Sequence, residues 1–263
     1  IYTDFVFGRL LTPEKILVYL NSKEIPIGML CMEPMTLVSG EFSCPAVYMY
    51  AFSVHPRYRS RGVGARLLEG FHEYCKKEGY YASVLTPASK DLFDYYGSRG
   101  YKTQFAIRQL TLDPEVLLPT GRKTVLIPRA LDTIGKMRNE FFGMSNLLVR
   151  WSDSYLKFVG EEAQLRGGEV LSTNVRGKKG YLVYRMEDDE AIITEFAVPS
   201  DCIDDVIYTL HQRVGAKRYK IRISADYPSR EGGMVLPFAM IQWYDKMRIG
   251  LMPNAPYISH VMD

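Results

Sequence analysis

A chain of 263 residues, 47% hydrophobic and 24% charged with a net charge of only +3, is long enough for one large domain or two ordinary ones and too evenly charged for nucleic acid to be its main partner. Its four cysteines (Cys31, Cys44, Cys75, Cys202) and four histidines are scattered with no C-x-x-C pair, which suggests neither a metal centre nor a disulfide framework and fits a reducing cytoplasm. No apolar run is long enough to span a bilayer and no signal peptide is visible, so no membrane role is expected.

In chain order, residues 1–11 carry Phe5, Phe7, Leu10 and Leu11, as at the end of a helix that Thr12 and Pro13 terminate. Two apolar runs, 16–20 and 27–32, joined by a polar Asn21-Ser22-Lys23-Glu24, predict a β-hairpin, and 33–45 reads as a looser segment. Residues 47–54 predict a buried strand, with Tyr48, Tyr50, Phe52 and Val54 on one face. Pro56 ends it. From Val63 the apolar residues recur at helical spacing, Val63, Leu67, Phe71 and Cys75, until Gly79. The helix therefore begins within Arg61-Gly62-Val63-Gly64, where free N–H groups and the positive end of the helix dipole can hold phosphate oxygens. Gly62 and Gly64 remove the side chains that would keep a pyrophosphate away. The spacing is not that of a nucleotide P-loop, which lacks its lysine here, nor of the G-x-G-x-x-G dinucleotide fingerprint.

A strand over 80–85 and a helix over 90–98, with Ser89 as N-cap and Tyr95 and Tyr96 on it, lead to an alternating strand over 101–109. Prolines and a glycine within 110–129 place a domain boundary there, giving a first domain over 1–112, a linker over 113–129 and a second domain over 130–263. The second half predicts helices over 130–142 and 153–166, the latter capped by Ser152 or Asp153. Strands over 169–175, 181–186 and 191–198, a helix over 202–214 and a strand over 218–224 follow, in the element order of the first half.

Arg59-Ser60-Arg61-Gly62-Val63-Gly64, following a strand that ends in Val-His-Pro, resembles the acetyl-coenzyme A signature of the GCN5-related N-acetyltransferases (GNAT). Tyr95-Tyr96-Gly97-Ser98-Arg99-Gly100-Tyr101 is similar to the same family's F-Y-x-x-x-G-F motif. The pairing of two halves resembles the tandem-domain, Eis-like bacterial acetyltransferases, as do the closing segments around Pro237-Phe238 and Pro256-Tyr257. The resemblance implies an α/β (α+β) fold of tandem GNAT-like domains, with mixed central sheets flanked by helices. Such domains normally open with a further strand and helix, which are expected to be missing before Ile1. The second copy is expected to be degenerate, because 199–205 has no arginine and no Gly-x-Gly, and its carboxylates would repel a pyrophosphate.

The function implied is acetyl-coenzyme A-dependent transfer to a primary amine of a small molecule by direct attack on the thioester, without a metal. Alternatives are a protein-lysine acetyltransferase and a non-catalytic acyl-coenzyme A-binding module. The donor falls to the backbone of Phe52, Ser53 and Val54 and to the turn Ser60, Arg61, Gly62, Val63, Gly64 and Ala65, with charge from Arg59 and Arg61. By the resemblance Tyr96 sits beside the coenzyme sulfur, where a phenol can protonate the departing thiolate. A lone tyrosine on such a helix would otherwise read as core packing. For the general base the candidates are Glu41, in the loop that usually borders the acceptor, and Asp263, by analogy with an Eis-type terminal carboxylate. The same analogy allows a homo-oligomer.

Overall fold

The computed structural model describes residues 2–117, 124–129, 131–143, 147–175, 177–228, 232–244 and 256–258. Helix α1 (Tyr2–Arg9) ends before Thr12 and Pro13, and the predicted hairpin follows as β1 (Ile16–Leu20) paired antiparallel with β2 (Pro26–Ser39). The segment read as loose is not so. β2 runs on to Ser39 and turns at Gly40 and Glu41 into β3 (Phe42–Val54), in register from Gly28↔Val54 to Ser39↔Phe42. Pro34 and Pro45 misled the reading. Each lies where its missing N–H costs nothing: Pro34 falls between the stretches of β2 that pair with other strands, and Pro45 one residue before β3 gains its next partner.

Helix α2 (Val63–Lys77) then crosses to β4 (Ala82–Leu85), which lies parallel to β3, and α3 (Lys90–Gly97) leads to β5 (Lys102–Leu112). Ser89 occupies the N-cap of α3, but its hydroxyl makes no capping bond. β6 (Val125–Pro128), α4 (Leu131–Phe142), the short β7 (Leu148–Arg150) and α5 (Asp153–Leu165) follow, and at α5 the predicted Ser152 cap accepts from the Tyr155 N–H at 3.2 Å. The second half closes with β8 (Glu169–Val175), β9 (Lys178–Glu187), β10 (Glu190–Ala197), α6 (Ile203–Val214), β11 (Arg218–Ser224) and β12 (Met234–Trp243).

The tandem reading holds in the topology. β10 and β11 are parallel and joined by α6, as β3 and β4 are parallel and joined by α2. The halves meet where β11 pairs antiparallel with β5, so among the described residues the strands form one sheet ordered β1-β2-β3-β4-β12-β5-β11-β10-β9-β8-β6, with β7 pairing to β2. β12 comes from the end of the chain yet lies between β4 and β5, paired antiparallel with both. No helix among the described residues is long and apolar enough to cross a membrane.

The helices bury the sheet from both sides. α2 presents Val63, Leu67, Leu68, Phe71 and Cys75 to Leu30, Met32, Val47 and Met49 on one face. On the other face Tyr48 and Tyr50 pack with Trp151, Tyr155 and Phe158, so helices of the second half cover the first half's strands. α4 is fixed there by a buried ion pair, Arg138 Nε to Glu195 Oε1 at 2.6 Å, and Arg138 also donates to the Val149 carbonyl at 2.6 Å.

Candidate active site

The geometry of the site starts from an irregularity in β3. Met29 pairs with Ser53 but Cys31 with Tyr50, so Ala51 and Phe52 together oppose Leu30 alone, and Ala51 adopts φ +51°. This is a β-bulge. It shifts the alternation by one: Tyr48 and Tyr50 face the α5 side, whereas Phe52 joins Val47 and Met49 on the α2 side. The single face predicted for Tyr48, Tyr50, Phe52 and Val54 is thereby corrected. Because β4 pairs with β3 only from Ala46 to Tyr48, the β4 side of Met49 to Val54 has no strand partner among the described residues. An open edge results.

At the end of that edge lies the turn that leads into α2. Ser60 (φ +58°) and Gly62 (φ +75°) curl the turn so that successive N–H groups converge. Arg66 N–H to Gly62 C=O, 3.1 Å, is the first closed turn of α2, leaving the amides of Val63, Gly64 and Ala65 without intrahelical acceptors. Arg59 Nε is tied to the Val54 carbonyl at 3.1 Å, and Arg66 donates to the Arg61 carbonyl at 3.3 Å. A Cβ on Gly64 would come within 2.9 Å of the Tyr95 hydroxyl and 3.3 Å of Phe52 Cζ. The residues fit an anionic, extended ligand laid against bare backbone.

Tyr96 is buried on α3, its ring 6.1 Å from Phe52, 5.2 Å from Tyr95 and 5.8 Å from Tyr101. Burial, with Tyr95 adding to it and Arg99 opposing it, pushes the Tyr96 phenol up to about 12. Its proton is held firmly at neutral pH. Arg99 stacks 3.7 Å over the Tyr95 ring and donates to the Tyr95 carbonyl at 2.7 Å, closing the last turn of the helix.

Across the bulge lies a second space. A cavity of about 220 Å³ between α1 and β3 is lined by Tyr2, Val6, Phe7, Tyr50 and Ala51. The Tyr50 hydroxyl is buried there with no hydrogen-bond partner among the described residues, and burial, followed by Cys31 and Glu33, raises its pKa well above the usual phenol range. Glu33, buried beside Lys15 at 2.7 Å, has its pKa raised chiefly by burial, and the buried Glu162 accepts from the Tyr2 hydroxyl at 2.9 Å. Sequence reasoning missed Tyr50, Ala51, Tyr2 and Glu33 as a group, because only the bulge brings them to one point.

The two candidate bases fare differently. Glu41 is exposed at the β2–β3 turn, on the order of 30 Å along the strand from the bulge at ~3.3 Å per residue. The structure does not bring it to the cradle. Asp263 lies outside the described residues.

In the second half the same positions are filled differently. β10 has its own register shift between Ile193 and Glu195, but the Arg138–Glu195 ion pair occupies it. The turn before α6 carries Asp201, held by Lys178 at 2.5 Å, where the first half has its arginines and glycines.

Residues 3–104 match the family described as acetyltransferase (GNAT) domain. That stretch is thus similar to a GNAT domain. Similar folds include a GCN5-related N-acetyltransferase from Kribbella flavida (16% identity, TM-score 0.65, 92% of this chain and 62% of that one) and another from Anabaena variabilis (15%, 0.71, 91% and 64%). Eis1 from Mycobacterium abscessus is also similar, at 12% identity and TM-score 0.64 over 92% of this chain and 70% of that one. The chain thus spans less than two thirds of the first two. No curated protein sequence matches it.

Within the matched stretch a groove of about 410 Å³ leads from Ala65 along α2 past Glu69 and His72 to Arg99. His72 Nδ1 shares a hydrogen bond with the Tyr244 hydroxyl at 2.9 Å, while its Nε2 has no partner among the described residues. Burial, then the nearby Lys76 charge, lowers the His72 pKa from 6.5 to about 4. The neutral ring is therefore favoured by folding, and the stability it contributes is complete above pH 6.5 and lost as pH falls toward 4. Residual solvation of the ring limits this to about 2 kcal/mol. Urea unfolding at the two ends of that window is expected to show a smaller pH difference in His72→Gln than in the wild type. An equal difference would remove His72 from the account.

Proposed function

We propose that this chain is an acetyl-coenzyme A-dependent N-acetyltransferase that acetylates a primary amine of a small molecule by direct attack on the thioester. One juxtaposition carries the reading: the free amides at the start of α2 and the protonated Tyr96 phenol flank Phe52, which contacts both along the open edge of β3. Coenzyme A would supply the acetyl group in activated form. The Gly62 to Ala65 amides, with Arg59 and Arg61, hold its phosphates, and the unpaired edge over Phe52, Ser53 and Val54 offers backbone partners for its arm.

Tyr96 Oη keeps its proton at neutral pH and donates it in a hydrogen bond to the coenzyme sulfur as negative charge develops there, while the departing thiolate of ordinary pKa about 8.5 can itself leave as the anion. On the far side of the bulge the α1 cavity, lined by Tyr2, Val6, Phe7, Tyr50 and Ala51, offers room and aromatic faces for an amine acceptor. Direct attack is supported by the cysteines, all four free and buried. Burial pushes Cys31 and Cys44 to about 11 and Cys75 to about 12, and raises Cys202, so none supplies a thiolate for an acyl-enzyme.

The test is thiol release from acetyl-coenzyme A across a panel of small primary amines. In Tyr96→Phe, kcat is expected to fall about 10²-fold while the KM for acetyl-coenzyme A moves little. The wild-type rate should keep its plateau to about pH 10, since the phenol is still protonated there. An unchanged kcat in Tyr96→Phe removes the proton-donor role. Acetylation of protein lysines alone transfers the acceptor to that class, and binding without turnover leaves an acyl-coenzyme A-binding module.

A further inference from the structure

The outer edge of the second half holds a cleft that neither the cradle nor the acceptor side uses. It measures about 560 Å³ and lies between α4 and the last strands of the sheet, β6, β8 and β9. Its size is that of a small-molecule site.

The sequence builds it by two periodicities. Val125, Ile127 and Arg129 alternate along one face of β6, with Asn174 and Ser172 of β8 directly opposite Val125 and Ile127. Lys136, Met137 and Glu140 follow one stripe of α4 and form the facing wall. Lys179 of β9, paired with Asn174, closes one end.

Its chemistry is uneven in a way that selects a ligand. Three cations, Arg129, Lys136 and Lys179, face a single carboxylate, Glu140. Arg129 is oriented by its Nε donating to Ser172 Oγ at 3.1 Å. Among the described residues neither lysine has a carboxylate partner, although Glu140 stands one turn from Lys136. Beside these polar groups, Val125 and Ile127 are 45% and 46% exposed, a large apolar surface for two neighbouring strand positions.

We propose that this cleft binds a small amphipathic organic anion, its acidic head held by Lys136, Lys179 and Arg129 and its apolar body laid on Val125, Ile127 and Met137. The site is independent of the acetyl-transfer reading, being built by other strands and another helix.

Anilinonaphthalene sulfonate, an aromatic body with an anionic head, is the probe. It is titrated into the full chain by fluorescence, with acetyl-coenzyme A in excess to exclude the cradle. One probe per chain is expected, weakened about tenfold or more in Lys136→Glu/Lys179→Glu. Octanoate should displace it and inorganic phosphate should not. Equal affinity in the double variant, or the absence of a stoichiometric site in the wild type, overturns the proposal. Displacement by phosphate as effective as by octanoate overturns the amphipathic part of it. Should the double variant unfold, Lys179→Gln alone is used, with about a threefold loss expected and no loss counting against the site.

Discussion

Gly62→Glu is expected to lose acetyl-coenzyme A binding by about 10²-fold or more. The carboxylate would enter the turn whose amides face the ligand, and at ~5 Å in an effective dielectric of ~20 each phosphate charge it meets costs about 3 kcal/mol. Screening reduces that figure, yet each 1.4 kcal/mol is still tenfold in affinity. A control is needed because Gly62 has φ +75°, where any side chain is strained. Gly62→Ala carries the strain without the charge and is expected to bind within about tenfold of the wild type. Calorimetry on the three chains separates the effects. If Gly62→Ala and Gly62→Glu fall equally, backbone shape rather than charge governs the turn, and if neither binds less than the wild type, the coenzyme lies elsewhere.

Arg138→Met is expected to destabilise the fold by about 3–5 kcal/mol, since it strands a buried carboxylate. Burial works most strongly against the Arg138 charge, but Glu195 together with Tyr181 and Tyr257 more than offsets it, so the Arg138 pKa is raised and the guanidinium stays charged. The same side chain serves the Val149 carbonyl and lies 5.8 Å from the Tyr257 ring, so one substitution loosens α4, β7 and the packing of Tyr257 together. Restoring neutrality with Arg138→Met/Glu195→Gln should recover much of the loss, because the penalty belongs to the unpaired charge rather than to the missing attraction. Urea unfolding of the single and double variants decides it. A single variant costing under about 1 kcal/mol would show that the pair is dispensable.

Much of the fold was written in local patterns. The stripe Val63, Leu67, Phe71 and Cys75 marked α2, the order of elements marked a tandem, and Gly62 and Gly64 marked the phosphate turn, because periodicity and backbone freedom are properties of neighbouring residues. β6, β7 and β12 were not read as strands. β7 has three residues, and β12 gains its meaning only from pairing with β4 and β5, far away in sequence.

For the site the division is similar. The sequence by itself determined the cradle and singled out Tyr96, since both are carried by short motifs. Only the tertiary structure decided that Phe52 turns toward Tyr96, that Tyr50 and Glu33 gather on the opposite side, and that Glu41 stands far off. All three follow from one extra residue in β3 and from the length of the β2–β3 hairpin. A bulge reverses every later side chain on a strand while leaving the local sequence pattern unchanged, so it is set by cross-strand register and packing rather than by anything a window of neighbours can show.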